Sequence, residues 1–123
     1  MAMTKPLSKV LDLETYTNQD RVRFIVESGN GDVEPISDAV EIPISIVHRL
    51  YHLGRAFDAQ VVKLIDPTAS FRLDFFKLQS LVSELELVLK IVNDPVTQHY
   101  LGMLLPELKK GIKHPGCLLN VSS

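Results

Sequence analysis

Apolar residues recur with helical spacing from Asp74 to Val92. They fall three or four residues apart, at Phe75, Leu78, Val82, Leu85, Leu89 and Val92. Leu81 and Val88 widen this face, while Leu87 and Ile91 add apolar groups to the far side of the same segment. The pattern predicts an amphipathic helix that Asp74 caps and that needs cover on more than one side. Such a helix lies either at the centre of a domain or on a surface that another chain covers.

Two further helices follow from similar spacing. Pro43 suits a first helical turn, and the apolar positions after it continue the pattern at least to Phe57. Residues 60–65 fit either an extension of that helix or a short strand. Asp94-Pro95 ends the central helix and caps a last one that carries apolar residues as far as Ile112. Pro106 lies inside this last helix, where proline costs about 3 kcal/mol, so we expect a kink or a break and restart there.

Three shorter segments have the features of strands. Residues 22–27 alternate between apolar and other side chains, Asn30-Gly31 suits a tight reversal, and residues 36–42 make a second strand. Residues 117–123 contain a third strand of about five residues, whose natural partner is the first. The sequence thus predicts an α+β fold, with a small antiparallel sheet of about three strands packed against three or four helices. We expect residues 21–123 to form one domain, preceded over residues 1–20 by an arm or a short helix.

Composition narrows the class of protein. The 123 residues are 46% hydrophobic and 23% charged, which is typical of a folded globular domain. The net charge of -2 is too small to attract nucleic acid or anionic lipid. Cys117 is the single cysteine and has no partner for an internal disulfide, and no apolar run approaches the ~20 residues that span a bilayer. We therefore expect a cytoplasmic protein that binds neither nucleic acid nor membranes.

The distribution of charge is uneven. No lysine or arginine lies between Arg23 and Arg49. Five acidic residues fall in that interval, namely Glu27, Asp32, Glu34, Asp38 and Glu41. A local negative field would speed the docking of a partner with a basic surface. Alternatively, these charges only keep a strand edge soluble and unpaired.

Two pairs of residues raise the question of chemistry. His48 and His52 are four residues apart, so on a helix both rings project from one face, a spacing that metals exploit. No third ligand lies nearby in sequence, which favours a solvated polar face, and we expect no metal or other cofactor. His114 and Cys117 bracket a Pro-Gly turn, but a reactive thiolate needs a positioned base that the sequence does not identify.

A resemblance adds to this picture. The segment from Leu73 to Val121 contains a helix rich in Glu and Leu, then NDPVTQHYLGMLLPEL and HPGCLLNV. It resembles the small α+β proteins that bacteria make to neutralise toxins, the immunity proteins of toxin systems. The likeness covers about the C-terminal two-fifths of the chain, and no functional residue is carried over from it. It implies a binding protein that masks a partner enzyme, often through acidic side chains.

Three functional hypotheses follow. The first is a non-enzymatic protein-binding module, an inhibitor or immunity protein that presents the five acidic residues to a basic partner. The second is a small metal-binding protein or enzyme that uses His48 and His52, with His99 or His114 brought near by folding. The third is a homodimer through the Leu87 and Ile91 side of the central helix.

Overall fold

The computed structural model describes residues 20–29, 34–65 and 70–122. Its elements, in chain order, are β1 (Arg21–Glu27), β2 (Val40–Pro43), α1 (Ile44–Ala56), a 3-10 turn (Val62–Leu64), β3 (Phe71–Leu73), α2 (Phe75–Ile91), α3 (Pro95–Gly111) and β4 (Leu118–Ser122). The predicted α+β class is confirmed. The predicted N-terminal arm, the Asn30-Gly31 turn and Asp32 lie outside the described residues.

The described strands form one antiparallel sheet in the order β2-β1-β4-β3. The predicted pairing of the first strand with the C-terminal one is confirmed, since Phe24 aligns with Val121 and Val26 aligns with Leu119. The sheet has one strand more than the three expected, because β3 pairs with β4 at the far edge. A strand of three residues is too short to show an alternating pattern, and the sequence therefore gave no sign of it.

The second strand is shorter than predicted. Residues 36–42 were expected to form it, but regular pairing begins only at Val40. Before that point the chain touches β1 through a bridge between Pro35 and Glu27. The hydroxyl of Ser37 then accepts a hydrogen bond of 3.0 Å from the backbone N–H of Val26. A side chain thus occupies a position that a backbone carbonyl would fill in a regular ladder, so the strand cannot extend further back.

The three helices and one face of the sheet enclose the core. Val22, Phe24 and Val26 of β1 are buried in it together with the apolar face of α2. The buried residues of α2 are Leu78, Leu81, Val82, Leu85 and Val88, which confirms the predicted face. Both predicted aspartate caps are present, with Asp74 accepting from the N–H of Lys77 and Asp94 from the N–H of Val96.

The structure resolves the open assignment of residues 60–65 and corrects part of the expectation at Pro106. The open segment 60–65 contains a 3-10 turn, and the carboxylate of Glu84 on α2 accepts hydrogen bonds from the N–H groups of Val61 and Val62. Of the kink or break expected at Pro106, the break is wrong, since α3 is one helix from Pro95 to Gly111. Pro106 is exposed, while Leu105 and Leu108 beside it are buried. Their burial compensates for the lost backbone bond.

Candidate functional site

The predicted acidic residues follow one edge of the sheet. Residues 34–43 run antiparallel beside β1, and β2 is the outermost strand on that side of the described sheet. Glu34, Asp38 and Glu41 are exposed along this edge, and Glu27 is partly buried at the end of β1. The structure therefore brings four of the five predicted residues to one region.

A surface groove of about 590 Å³ lies between this edge and α3. We call it the acidic groove. Its lining residues are Arg21, Asp38, Ala39, Val40, Glu41, Met103 and Glu107. Two of the predicted residues, Asp38 and Glu41, belong to it, whereas Glu27 and Glu34 do not line it. Of the predicted acidic interval, only the second half, with Asp38 and Glu41, therefore lines the groove.

Glu107 is the part of the groove that sequence reasoning missed. Its carboxylate accepts a 2.9 Å hydrogen bond from the backbone N–H of Asp38 and another of 2.9 Å from the ammonium of Lys110. These two donors, Lys110 first, hold the pKa of Glu107 below its ordinary value of 4.5, so the side chain is a carboxylate at neutral pH. Its contact with Asp38 joins residues 69 positions apart, which no local pattern could have indicated.

Basic residues partly offset the acidic groove. Arg21 is one of its lining residues, and Arg23 is the cross-strand partner of Glu41. The interval without lysine or arginine in the sequence is therefore not free of positive charge in the fold. The lining itself contains three carboxylates and one guanidinium, but Lys110 beside it neutralises Glu107. The groove is therefore only weakly negative, and the exposed carboxylates that it offers to a partner are those of Asp38 and Glu41.

Met103 gives the acidic groove an apolar wall. It is 45% exposed and lies one helical turn before Glu107 on α3. A thioether side chain is flexible and polarisable, and it adapts to partner surfaces of different shape. The carboxylates of the groove can accept hydrogen bonds from a lysine or arginine of a partner, while Met103 covers the apolar stem of the same side chain.

The two predicted histidines lie elsewhere, on α1. His48 and His52 are both exposed, and the ring of His52 packs edge-on against Tyr51. In the described ranges no group of three or more His, Cys, Asp and Glu side chains is placed to hold a metal ion. Arg49, between the two histidines, forms an ion pair with Asp94 and donates a 3.2 Å hydrogen bond to the hydroxyl of Thr97. This part of α1 therefore ties the helix to the start of α3.

Cys117 and His114 do not make a reactive pair in this arrangement. The Cys117 side chain is buried, and its thiol donates a 3.3 Å hydrogen bond to the carbonyl of Gly111. Burial raises the pKa of the thiol, which favours the protonated form at neutral pH. His114 is exposed and accepts the Cys117 N–H through its backbone carbonyl. The thiol therefore acts as a small packed group.

Comparison with known proteins adds no relative. No protein-family model, curated protein or solved structure matches this chain significantly. The resemblance to immunity proteins stays a prediction. Across the part of the chain that the structure describes, no helix is both long and apolar enough to cross a membrane.

Proposed function

We propose that this protein is a non-enzymatic binding module that masks a basic surface on a partner protein, in the manner of an inhibitor or immunity protein. The acidic groove carries this proposal, because three carboxylates from two separate elements meet there beside an exposed methionine. Glu27, Asp32 and Glu34 extend the negative charge along the chain from the groove. The proposed setting is the cytoplasm, with neither nucleic acid nor membrane as the partner.

The charges of the groove favour a partner with exposed lysine or arginine. Asp38 and Glu41 are exposed, so a long basic side chain can reach them without displacing any packed group. Electrostatic attraction of this kind raises the association rate and weakens as salt screens it. The same carboxylates would repel phosphate groups, which supports a protein partner over a nucleic acid.

The geometry of the edge suggests how such a partner docks. Because β2 is an outermost strand of the described sheet, its outer backbone edge lies next to the groove. Hydrogen bonds to this edge can add affinity that does not depend on side chains, while the carboxylates select basic residues. Met103 covers the apolar part of the contact.

Capture from extracts of the native source tests the proposal. The tagged protein should retain one dominant basic protein that high salt releases. The double variant Asp38→Asn and Glu41→Gln should lose that partner, since it removes two charges from the groove and leaves both shapes almost unchanged. Glu86→Gln is the matched control, because it removes an exposed carboxylate on α2, away from the groove.

Kinetics with the captured partner sharpen the result. The double variant should associate about tenfold more slowly at low salt and show a weaker salt dependence than the control. Equal retention by both variants would remove the acidic groove from the interface. Capture of no partner by the folded protein would contradict the binding-module proposal itself.

A further inference from the structure

The outward face of α2 carries a stripe of apolar and small side chains along its length. Phe76 is 74% exposed, Leu87 is 57% exposed and Ile91 is 45% exposed. Ser80 and Ser83 lie between them and are also exposed. Steps of four, three, four and four residues place all five on one side of the helix, opposite its buried face. We call this set the α2 stripe.

A recess lies at one end of the α2 stripe. An apolar groove of about 330 Å³ opens beside Phe76, with Pro115 and Leu118 among its other walls. An apolar side chain of another molecule can pack against the protruding ring of Phe76 and fill the groove beside it. Large apolar groups on a solvent-facing helix usually mark a contact surface, since single exposed apolar residues are common but aligned ones are not.

We propose that the α2 stripe pairs with the α2 stripe of a second copy of this chain, antiparallel about a two-fold axis. In such a pair, setting Ser80 against Ser83 of the second copy also sets Phe76 against Leu87 of the second copy, and the reverse. Phe76 and Leu87 therefore meet each other and the serines meet serines, while Ile91 lies beyond the paired stretch of α2. The serines let the helices approach closely, because the distance between two packed helices depends on the size of the side chains at the contact.

Charges on the flank of α2 support the same register. Lys77 and Glu84 lie on one flank of the α2 stripe, seven residues apart. In the antiparallel pair, Lys77 of one copy lies on the same flank as Glu84 of the second copy. Their positions along the helix axis differ by only about 3 Å. The Glu84 carboxylate already holds two backbone N–H groups and has lone pairs left for an ammonium. Opposed helix dipoles also favour the antiparallel arrangement.

The size of this contact predicts a weak dimer. In this register the two α2 helices overlap from Phe75 to Val88, a length of about 20 Å along the axis. One pair of helices of that length gives an interface at the small end of the range for specific complexes. We therefore expect a monomer–dimer equilibrium with a dissociation constant in the micromolar range, visible only when concentration is varied.

Sedimentation of the full chain, from low micromolar to near-millimolar concentration, tests the dimer. The mass should rise from one chain to two. Phe76→Ser and Leu87→Ser should each weaken association about tenfold or more, since both sit in the large layers of the pair. Met103→Ser is the matched control, because Met103 is as exposed as Ile91 but lies in the acidic groove on α3.

Disulfide trapping tests the register. Ser80→Cys and Ser83→Cys variants, mixed in equal amounts and oxidised, should cross-link to each other more than either cross-links to itself. The native thiol does not compete, because Cys117 is only 2% exposed. A protein that stays monomeric at every concentration would overturn the proposal. So would a dimer that tolerates both apolar substitutions, or cross-links that favour like with like.

Discussion

At the scale of single residues, Glu107 both lines the acidic groove and stabilises the fold through its charge. The pKa of its carboxyl is lowered in the folded state, mainly by Lys110 and then by the N–H of Asp38. A carboxyl with a lowered pKa stabilises the fold at pH values above its ordinary 4.5, and that contribution is lost as the pH falls through the folded-state value. Glu107 therefore contributes stability at neutral pH and none in strong acid.

Glu107→Gln should make this visible. We expect the variant to unfold more easily than the wild type at pH 7, and the difference to shrink as the pH falls below about 4.5. Chemical denaturation across that range measures it. Glu86→Gln is again the control, because that carboxylate pairs with Lys109 at 3.2 Å but has no backbone donor. A difference that is constant with pH would show that the carboxyl contributes through shape alone.

Two glycines of α3 make a matched pair of tests. A Cβ on Gly111 would lie 2.5 Å and 2.9 Å from the methyl carbons of Val26, whereas one on Gly102 would meet nothing within 4 Å. Gly111→Ala should therefore lower the free energy of unfolding by about 1–3 kcal/mol through overpacking. Gly102→Ala should raise it by about 0.5–1 kcal/mol, since alanine is the better helix former. Thermal unfolding decides both, and equal effects would contradict the close seating of α3 on β1.

At the scale of elements, the aspartate caps of α2 and α3 differ in what else they hold. Asp74 caps α2 through a single bond of 2.9 Å to the N–H of Lys77. Asp94 caps α3, accepts a 2.7 Å bond from the hydroxyl of Thr97 and pairs with Arg49 of α1. The start of α3 is therefore a junction between two helices, while the start of α2 is not.

Replacing each cap by alanine should separate these roles. Asp74→Ala should lower the free energy of unfolding by about 1 kcal/mol, the usual value for a lost cap. Asp94→Ala should lower it by about 2 kcal/mol, because the ion pair with Arg49 of α1 is lost as well. Denaturant titration gives both values. A double-mutant cycle between Asp94→Ala and Arg49→Ala isolates the tie. No coupling in that cycle would mean that Asp94 acts only as a cap.

The sequence predicted the helices and strands more accurately than the contacts between them. Periodicity and aspartate caps were enough for α2 and α3, because both signals are local. β3 is too short for a pattern, and the start of β2 is displaced by the Ser37 hydroxyl bonding Val26. The acidic groove was predictable only in part. Asp38 and Glu41 stand out by charge, but Glu107 joins them through packing of α3 against the sheet edge.

At the scale of the whole molecule, the two proposed surfaces use different elements. The acidic groove lies between the β2 edge and α3, and the α2 stripe lies on the outward face of α2. A dimer through the stripe would therefore present two acidic grooves. Two linked sites raise the apparent affinity for a partner that offers two basic surfaces, without any new contact. Substitutions in the acidic groove should leave sedimentation unchanged, whereas substitutions in the α2 stripe should lower the apparent affinity for such a divalent partner.

The central pair of strands also bears on how this chain is made. β1 lies near the start of the described residues and β4 at their end, with Arg23 aligned to Ser122. During translation β1 can pair with β2 early, but its other edge must wait until β4 leaves the ribosome. Folds dominated by such distant pairings form slowly, and an open strand edge invites pairing with other nascent chains. The order of synthesis therefore leaves the unfinished protein with a strand edge that β4 covers only in the finished one.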